Sequence, residues 1–158
     1  MNKIILSLAV STSFMYAEGT FSVGHKHFSL NISQDGDYTV LGGNINTYVV
    51  DNLSVGAGIT AWLGDKPTIT SLTVPVTYYM PLPAPIRPYV GVFASYTFVG
   101  DDGAVKYENY SSYGGRVGIV ADVSPNMYTY AGWVQVKRNG DYVHSDDGYP
   151  EFGFGMSF

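Results

Sequence analysis

The chain has 158 residues, room for one domain, with 13% charged and 15% aromatic residues and a net charge of −5. That balance argues against nucleic acid as a partner, because no basic patch is present to neutralise phosphates, and the absence of cysteine rules out disulfides and a lipid-modified cysteine anchor. The charged fraction is about half that usual for a soluble domain, yet no stretch beyond the first 17 residues is long and apolar enough for a membrane helix; a membrane β-barrel fits, and composition alone also leaves a soluble β-sandwich open.

The chain opens with one positive charge at Lys3, an apolar run from Ile4 to Val10, and Tyr16-Ala17 before the acidic Glu18. Charged, apolar and small-residue regions in that order predict a cleavable export signal over residues 1–17. Cleavage is expected after Ala17, with Met15 a larger residue than usual three positions before the cut. Residues 18–158 then form the mature domain.

From Glu18 onward, segments of period-two patterning alternate with turn residues, which predicts eight antiparallel strands. The expected segments are about Thr20 to Ser33, Asp37 to Val50, Leu53 to Gly64 and Thr68 to Met80, then Ile86 to Val99, Tyr110 to Val123, Met127 to Arg138 and Tyr149 to Phe158. The first is irregular. Phe21 and Val23 have one parity and Phe28, Leu30 and Ile32 the other, which a β-bulge near His25 to His27 would reconcile. Connections after even strands are tight, as in Asp51-Asn52 and Ser124-Pro125-Asn126, whereas those at Gly100 to Asn109 and Asn139 to Gly148 are longer and more polar. Short turns on one side and longer loops on the other are a property of membrane barrels.

Each strand offers one apolar face and one of small or polar residues. In the third, Val55, Ala57, Ile59, Ala61 and Leu63 oppose Gly56, Gly58 and Thr60; in the fifth, Val90, Val92, Ala94, Tyr96 and Phe98 oppose Tyr89, Gly91, Phe93, Ser95 and Thr97. A soluble sandwich would carry more Lys and Glu on its outer face, so the barrel is favoured, with apolar residues outward. Tyr48, Tyr78, Tyr79, Tyr89, Tyr128 and Tyr130 fall near one set of strand ends and Tyr38, Tyr96, Tyr110 and Tyr113 near the other. These positions predict two interfacial aromatic girdles.

The last residues place Phe152, Phe154, Met156 and Phe158 on one face and end the chain on an aromatic. This resembles the terminal strand of outer-membrane barrel proteins, which implies recognition of these residues by the barrel-assembly machinery. Tyr48 to Gly56 resembles the second-to-third strand turn of the small OmpA/OmpX-like barrel family, and Pro88-Tyr89-Val90-Gly91-Val92 resembles its fifth strand. The resemblance implies an all-β, eight-stranded antiparallel transmembrane β-barrel in the bacterial outer membrane, with both termini periplasmic. Outer-membrane lipid and lipopolysaccharide would be its surroundings. It implies little about activity, and no peptidoglycan-binding domain of the kind found in larger OmpA-type proteins is expected beside the barrel.

The polar residues assigned inward are Arg87, Arg116, Asp122, Gln135, Lys137 and Glu151. Buried charges need partners, and an eight-stranded interior is just wide enough for side chains to fill, so a salt-bridged plug is expected. A narrow gated ion path through the same residues is the alternative. A third reading is a lipid-acting hydrolase, for which His144, Ser145 and Glu151 are the candidates. Adjacent His and Ser would point to opposite sides of an extended chain, so no catalytic site is predicted. His25 and His27 share a parity but lack a third metal ligand, and no metal or cofactor is expected. Asp101, Asp102, Glu108, Asp141, Asp146 and Asp147 make the loops acidic; contacts with an extracellular ligand would fall there, on a monomer with a structural or surface-interaction role in envelope integrity or adhesion.

Overall fold

The structure, a computed structural model, describes residues 21–35, 37–64, 69–100, 108–139 and 144–158. Eight strands run in chain order: β1 (Lys26–Asp35), β2 (Tyr38–Val50), β3 (Leu53–Leu63), β4 (Ile69–Tyr79), β5 (Ile86–Val99), β6 (Tyr110–Ser124), β7 (Met127–Asn139) and β8 (His144–Ser157). Each pairs antiparallel with its neighbours, and β1 pairs with β8 to close the barrel. Closure leaves no long free edge, which a membrane-spanning sheet requires.

Following paired residues from Leu30 through Gly43, Ile59, Leu72, Tyr96, Ser111 and Asn139 leads to His144, whereas Leu30 itself pairs with Phe154. The circuit therefore returns to β8 ten residues from its start. That stagger tilts the strands and sets a lumen that side chains fill.

Period two dictates the two faces. Outward lie Ile59, Leu72, Val74, Val92, Val117, Ile119, Phe152 and Phe154, all exposed, with Val92 at 60%. Inward lie Ser29, Asn46, Ser54, Ser71, Thr77, Thr97, Ser112 and Glu151, all buried. A barrel that exposes Val, Ile, Leu and Phe and buries Ser, Thr, Asn and Glu is built for hydrocarbon outside.

The first strand corrects the expectation. β1 starts at Lys26, and its register with β2 runs unbroken from Lys26↔Thr47 to Asp35↔Tyr38, without the expected bulge. The parity conflict disappears because residues 21–24 form turns, not strand. Gly24 adopts φ +86°, where a Cβ would be strained. The irregularities lie instead at Tyr48/Val50 and Asp122/Ser124, beside the tight turns. β8 begins five residues before the expected Tyr149, so His144 and Ser145 belong to the β7–β8 hairpin ladder.

Candidate functional site: the barrel lumen

The inward face divides by height into three levels. At the end where Phe21 and the C-terminal Phe158 lie, aromatic rings fill the cross-section: Tyr48, Tyr79, Tyr89, Tyr128 and Tyr130 are buried with Phe21. Tyr79 stands 6.0 Å from Tyr48 and 6.1 Å from Tyr89, ring centroid to centroid, and Tyr89 stands edge-on to Tyr130 at 6.3 Å. His27 stacks on Tyr48 at 5.0 Å and hydrogen-bonds through Nδ1 with the Tyr128 hydroxyl. These tyrosines were expected in a membrane-interface girdle. They point inward instead, and only Tyr78 of that group is outward and exposed. Tyr96 and Tyr113, expected at the other interface, are exposed on the outer face.

Glycines make this filling fit. Tyr89, Gly118, Gly132 and Glu151 lie on one line of paired residues across β5, β6, β7 and β8. The Tyr89 ring crosses both glycines, and a Cβ on either would collide with its hydroxyl oxygen. The hydroxyl reaches β8 and donates to Glu151 Oε1 at 2.8 Å. Tyr128 and Tyr130 lie in the same way over their partners Gly155 and Gly153.

Ion pairs form the second feature. Near mid-height Arg116 of β6 donates from Nε to Glu151 Oε1 at 3.0 Å and from Nη2 to Oε2 at 2.6 Å, a two-pronged contact. Its guanidinium also lies 5.6 Å and 5.8 Å from the Tyr89 and Tyr130 ring centres, within cation–π range. At the terminus-bearing end Arg87 pairs with Asp122 at 3.1 Å. Of the six residues assigned inward, the structure joins four in two pairs.

Gln135 and Lys137 are corrections. Both are exposed on the outward parity of β7 with Trp133, while Val134, Val136 and Arg138 face inward. Alternation identifies two faces but not which is inside, and here the polar one lies outward, close to the strand end, where side chains pass out of hydrocarbon. Gln135 donates to Asp146 Oδ1 at 2.6 Å, and Lys137 is the register partner of Asp146. Arg138, which sequence reasoning missed, pairs with Asp147; it shares the parity of Val134 and Val136, an apolar face that alternation alone assigns to lipid, so no local signal marked it as inward.

Above Arg116 the lumen opens into a cavity of about 70 Å³ with a mixed lining, Asn31, Asn44 and Ser71 beside Trp62, Phe93 and Val136 among others. A smaller cavity of about 20 Å³ lies beneath, between Arg116 and the tyrosines, and His27 and Ser29 line it. At roughly 10–15 Å³ per water, the first has room for several waters and the second for one or two. Arg116 borders both.

Among the loop acids, Glu108 and Asp146 are exposed, and Asp101, Asp102 and Asp141 lie outside the described residues. His25 is exposed in the turn before β1, whereas His27 is buried in the lumen. Among the described residues no three potential metal ligands cluster. On the last strand Phe152, Phe154, Met156 and Phe158 share the outward face, all exposed.

No family model matches this sequence, and no curated protein matches it. Solved structures do match. The barrel is similar to the N-terminal β-barrel domain of Pseudomonas aeruginosa OprF, with TM-score 0.72 and 13% identity over 86% of this chain and 98% of that one. It is similar to Neisserial surface protein A, with TM-score 0.64 and 16% identity over 85% and 95%. It is also similar to the Yersinia pestis outer membrane protein Ail in a phospholipid bilayer nanodisc, with TM-score 0.53 and 12% identity over 85% and 99%. At these identities the likeness is one of fold: this chain has an eight-stranded closed barrel like those of these three proteins.

Proposed function

We propose that this chain is a closed outer-membrane barrel, non-conducting and non-catalytic, that contributes to envelope integrity or adhesion by presenting its loops from a rigid scaffold. Residues 1–17 act as its export signal, both termini face the periplasm, and the barrel works as a monomer in lipid and lipopolysaccharide. Phe152, Phe154, Met156 and Phe158 serve recognition by the assembly machinery.

The observation that carries the reading is the lock between Arg116 and Glu151 across β6 and β8, with Tyr89 bound to the same carboxylate. A pair desolvated at this depth is held by mutual attraction and by hydrogen bonds to both oxygens. Tyrosines fill the level beneath it. A lumen so filled supports a scaffold role, and exposed loops on a rigid frame are where binding then resides. Glu108 and Asp146, exposed at the loop end, favour a basic surface as the loops' partner.

The test is single-channel conductance in a planar bilayer with refolded residues 18–158. Silence is expected. Reproducible conductance steps in the wild type would replace this reading with a second one, a low-conductance pore. One observation favours that alternative: two cavities lie in series, and Arg116, paired with Glu151, borders both together with Asn44.

A further inference from the structure

The division at Arg116 explains how the two cavities are kept apart, but not what closes the lower one toward the terminus-bearing end. There Tyr79, Tyr128 and Tyr130 form the cavity floor, and the side chain that backs this floor from outside belongs to no strand. Phe21, five residues before β1, is only 4% exposed. Its ring packs against Tyr79 at 4.8 Å, Tyr48 at 5.7 Å and Tyr128 at 6.1 Å. The Arg87 guanidinium covers it at 4.6 Å from the ring centre, itself held by Asp122.

The segment bearing Phe21 is tied down from outside the ladder. Asn52, in the β2–β3 turn at φ +66°, donates its N–H to the Phe21 carbonyl at 2.8 Å. The Val23 N–H donates to Asp51 Oδ1 at 2.9 Å. Gly24 turns the chain upward, and its N–H donates to the Tyr48 carbonyl at 3.0 Å. The ring is thus delivered into the mouth by a short strap, clipped to one turn.

We propose that Phe21 is a stopper seated in the terminus-bearing mouth of the barrel, a second closure in series with Arg116–Glu151. Withdrawing it breaks no strand pairing, because residues 21–24 lie outside β1. Arg87 with Asp122 forms its seat, and Asp51 with Asn52 its clip. The arrangement holds whichever partner the loops take. Removing the Arg116–Glu151 pair alone therefore joins the two cavities without opening a path through the barrel.

The chain lacks cysteine, so a single Ser29→Cys, lining the lower cavity, reports access without background. The measurement is the rate at which a small charged methanethiosulfonate labels it in the refolded barrel, with the native gel shift confirming closure in each variant. With Arg116 intact, Phe21→Ala is expected to speed labelling at least tenfold, and Phe21→Leu to leave it near the parent rate. Asp51→Ala removes the one side-chain tie of the strap without touching the ring and loosens it, so it carries the test if Phe21→Ala does not refold; a several-fold acceleration is expected. In planar bilayers, Arg116→Ala alone should stay silent and the Phe21→Ala, Arg116→Ala double variant should conduct. Unchanged labelling in both released variants, or conduction by Arg116→Ala alone, would overturn the proposal. Conduction by the unaltered barrel would overturn the closed-scaffold reading and this seal together, whereas conduction confined to Arg116→Ala would overturn the seal only.

Discussion

Arg116 and Glu151, 35 residues apart in sequence and on strands separated by β7, meet through two hydrogen bonds of 3.0 and 2.6 Å inside the lumen. Side-chain exposure is 16% for Arg116 and 4% for Glu151, so neither partner has bulk water as a substitute. Replacing Arg116 with Ala should destabilise the barrel by about 3–5 kcal/mol, because the carboxylate stays buried without its partner. The double variant Arg116→Met, Glu151→Gln should recover much of that loss. Denaturant unfolding in lipid vesicles, followed by tryptophan fluorescence, measures both. Equal losses in the single and double variants would mean that the charge pair is not what holds this level.

The line Tyr89–Gly118–Gly132–Glu151 makes a prediction about shape. A Cβ at position 132 would meet the Val117 carbonyl at 2.6 Å as well as the Tyr89 hydroxyl, whereas one at Gly115 meets nothing closer than 3.6 Å. Gly132→Ala should cost about 1–3 kcal/mol by overpacking, and Gly115→Ala should be near neutral. The same unfolding titration separates them, and a neutral Gly132→Ala would remove the claim that Tyr89 needs the glycine floor.

The outward belt predicts a dependence on depth. Val92 is 60% exposed on the outer face of β5, among Val90 and Ala94. Val92→Arg should cost roughly 2–4 kcal/mol in a bilayer, the penalty for charge at the hydrocarbon midplane. Gln135→Arg, beside Lys137 toward the strand end, should cost about 1 kcal/mol or less. Unfolding in vesicles tests the pair, and equal costs would contradict the placement of Gln135 outside the belt.

Phe158 separates assembly from stability. Its backbone exchanges hydrogen bonds with Lys26 at 2.9 and 3.2 Å, closing the β1–β8 seam, while the residue as a whole is 69% exposed. Phe158→Ala keeps the backbone contacts, so its stability after refolding in vitro should change by about 0.5 kcal/mol at most. Its yield in the outer membrane of cells should fall severalfold if the ring is read during insertion. Full yield in cells would remove Phe158 from the assembly signal.

Much of the architecture was legible because a sheet has a side-chain period of two and lipid sets a sharp contrast between faces. Val90, Val92, Ala94, Tyr96 and Phe98 declared their side in that way, and the tight turns at Asp51-Asn52 and Pro125-Asn126 declared the strand ends. β7 resisted because both its faces mix aromatic, small and polar residues. There the polar side chains Gln135 and Lys137 are outward because they sit above the belt, and depth is not encoded in alternation. The tyrosines misled for the same reason: a ring near a strand end suits either the membrane interface or the lumen, and only the parity of the closed sheet decides.

By itself the sequence determined the number of strands, their antiparallel order and, for most strands, which face meets hydrocarbon, because those follow from local spacing and turn chemistry. Only closure, with its ten-residue stagger, decided who meets whom inside. It brought Arg116 to Glu151, laid Tyr89 across Gly118 and Gly132, and turned Phe21 into the mouth. Contacts across a lumen depend on the tilt and register of all eight strands together, and no single segment of the chain carries that information.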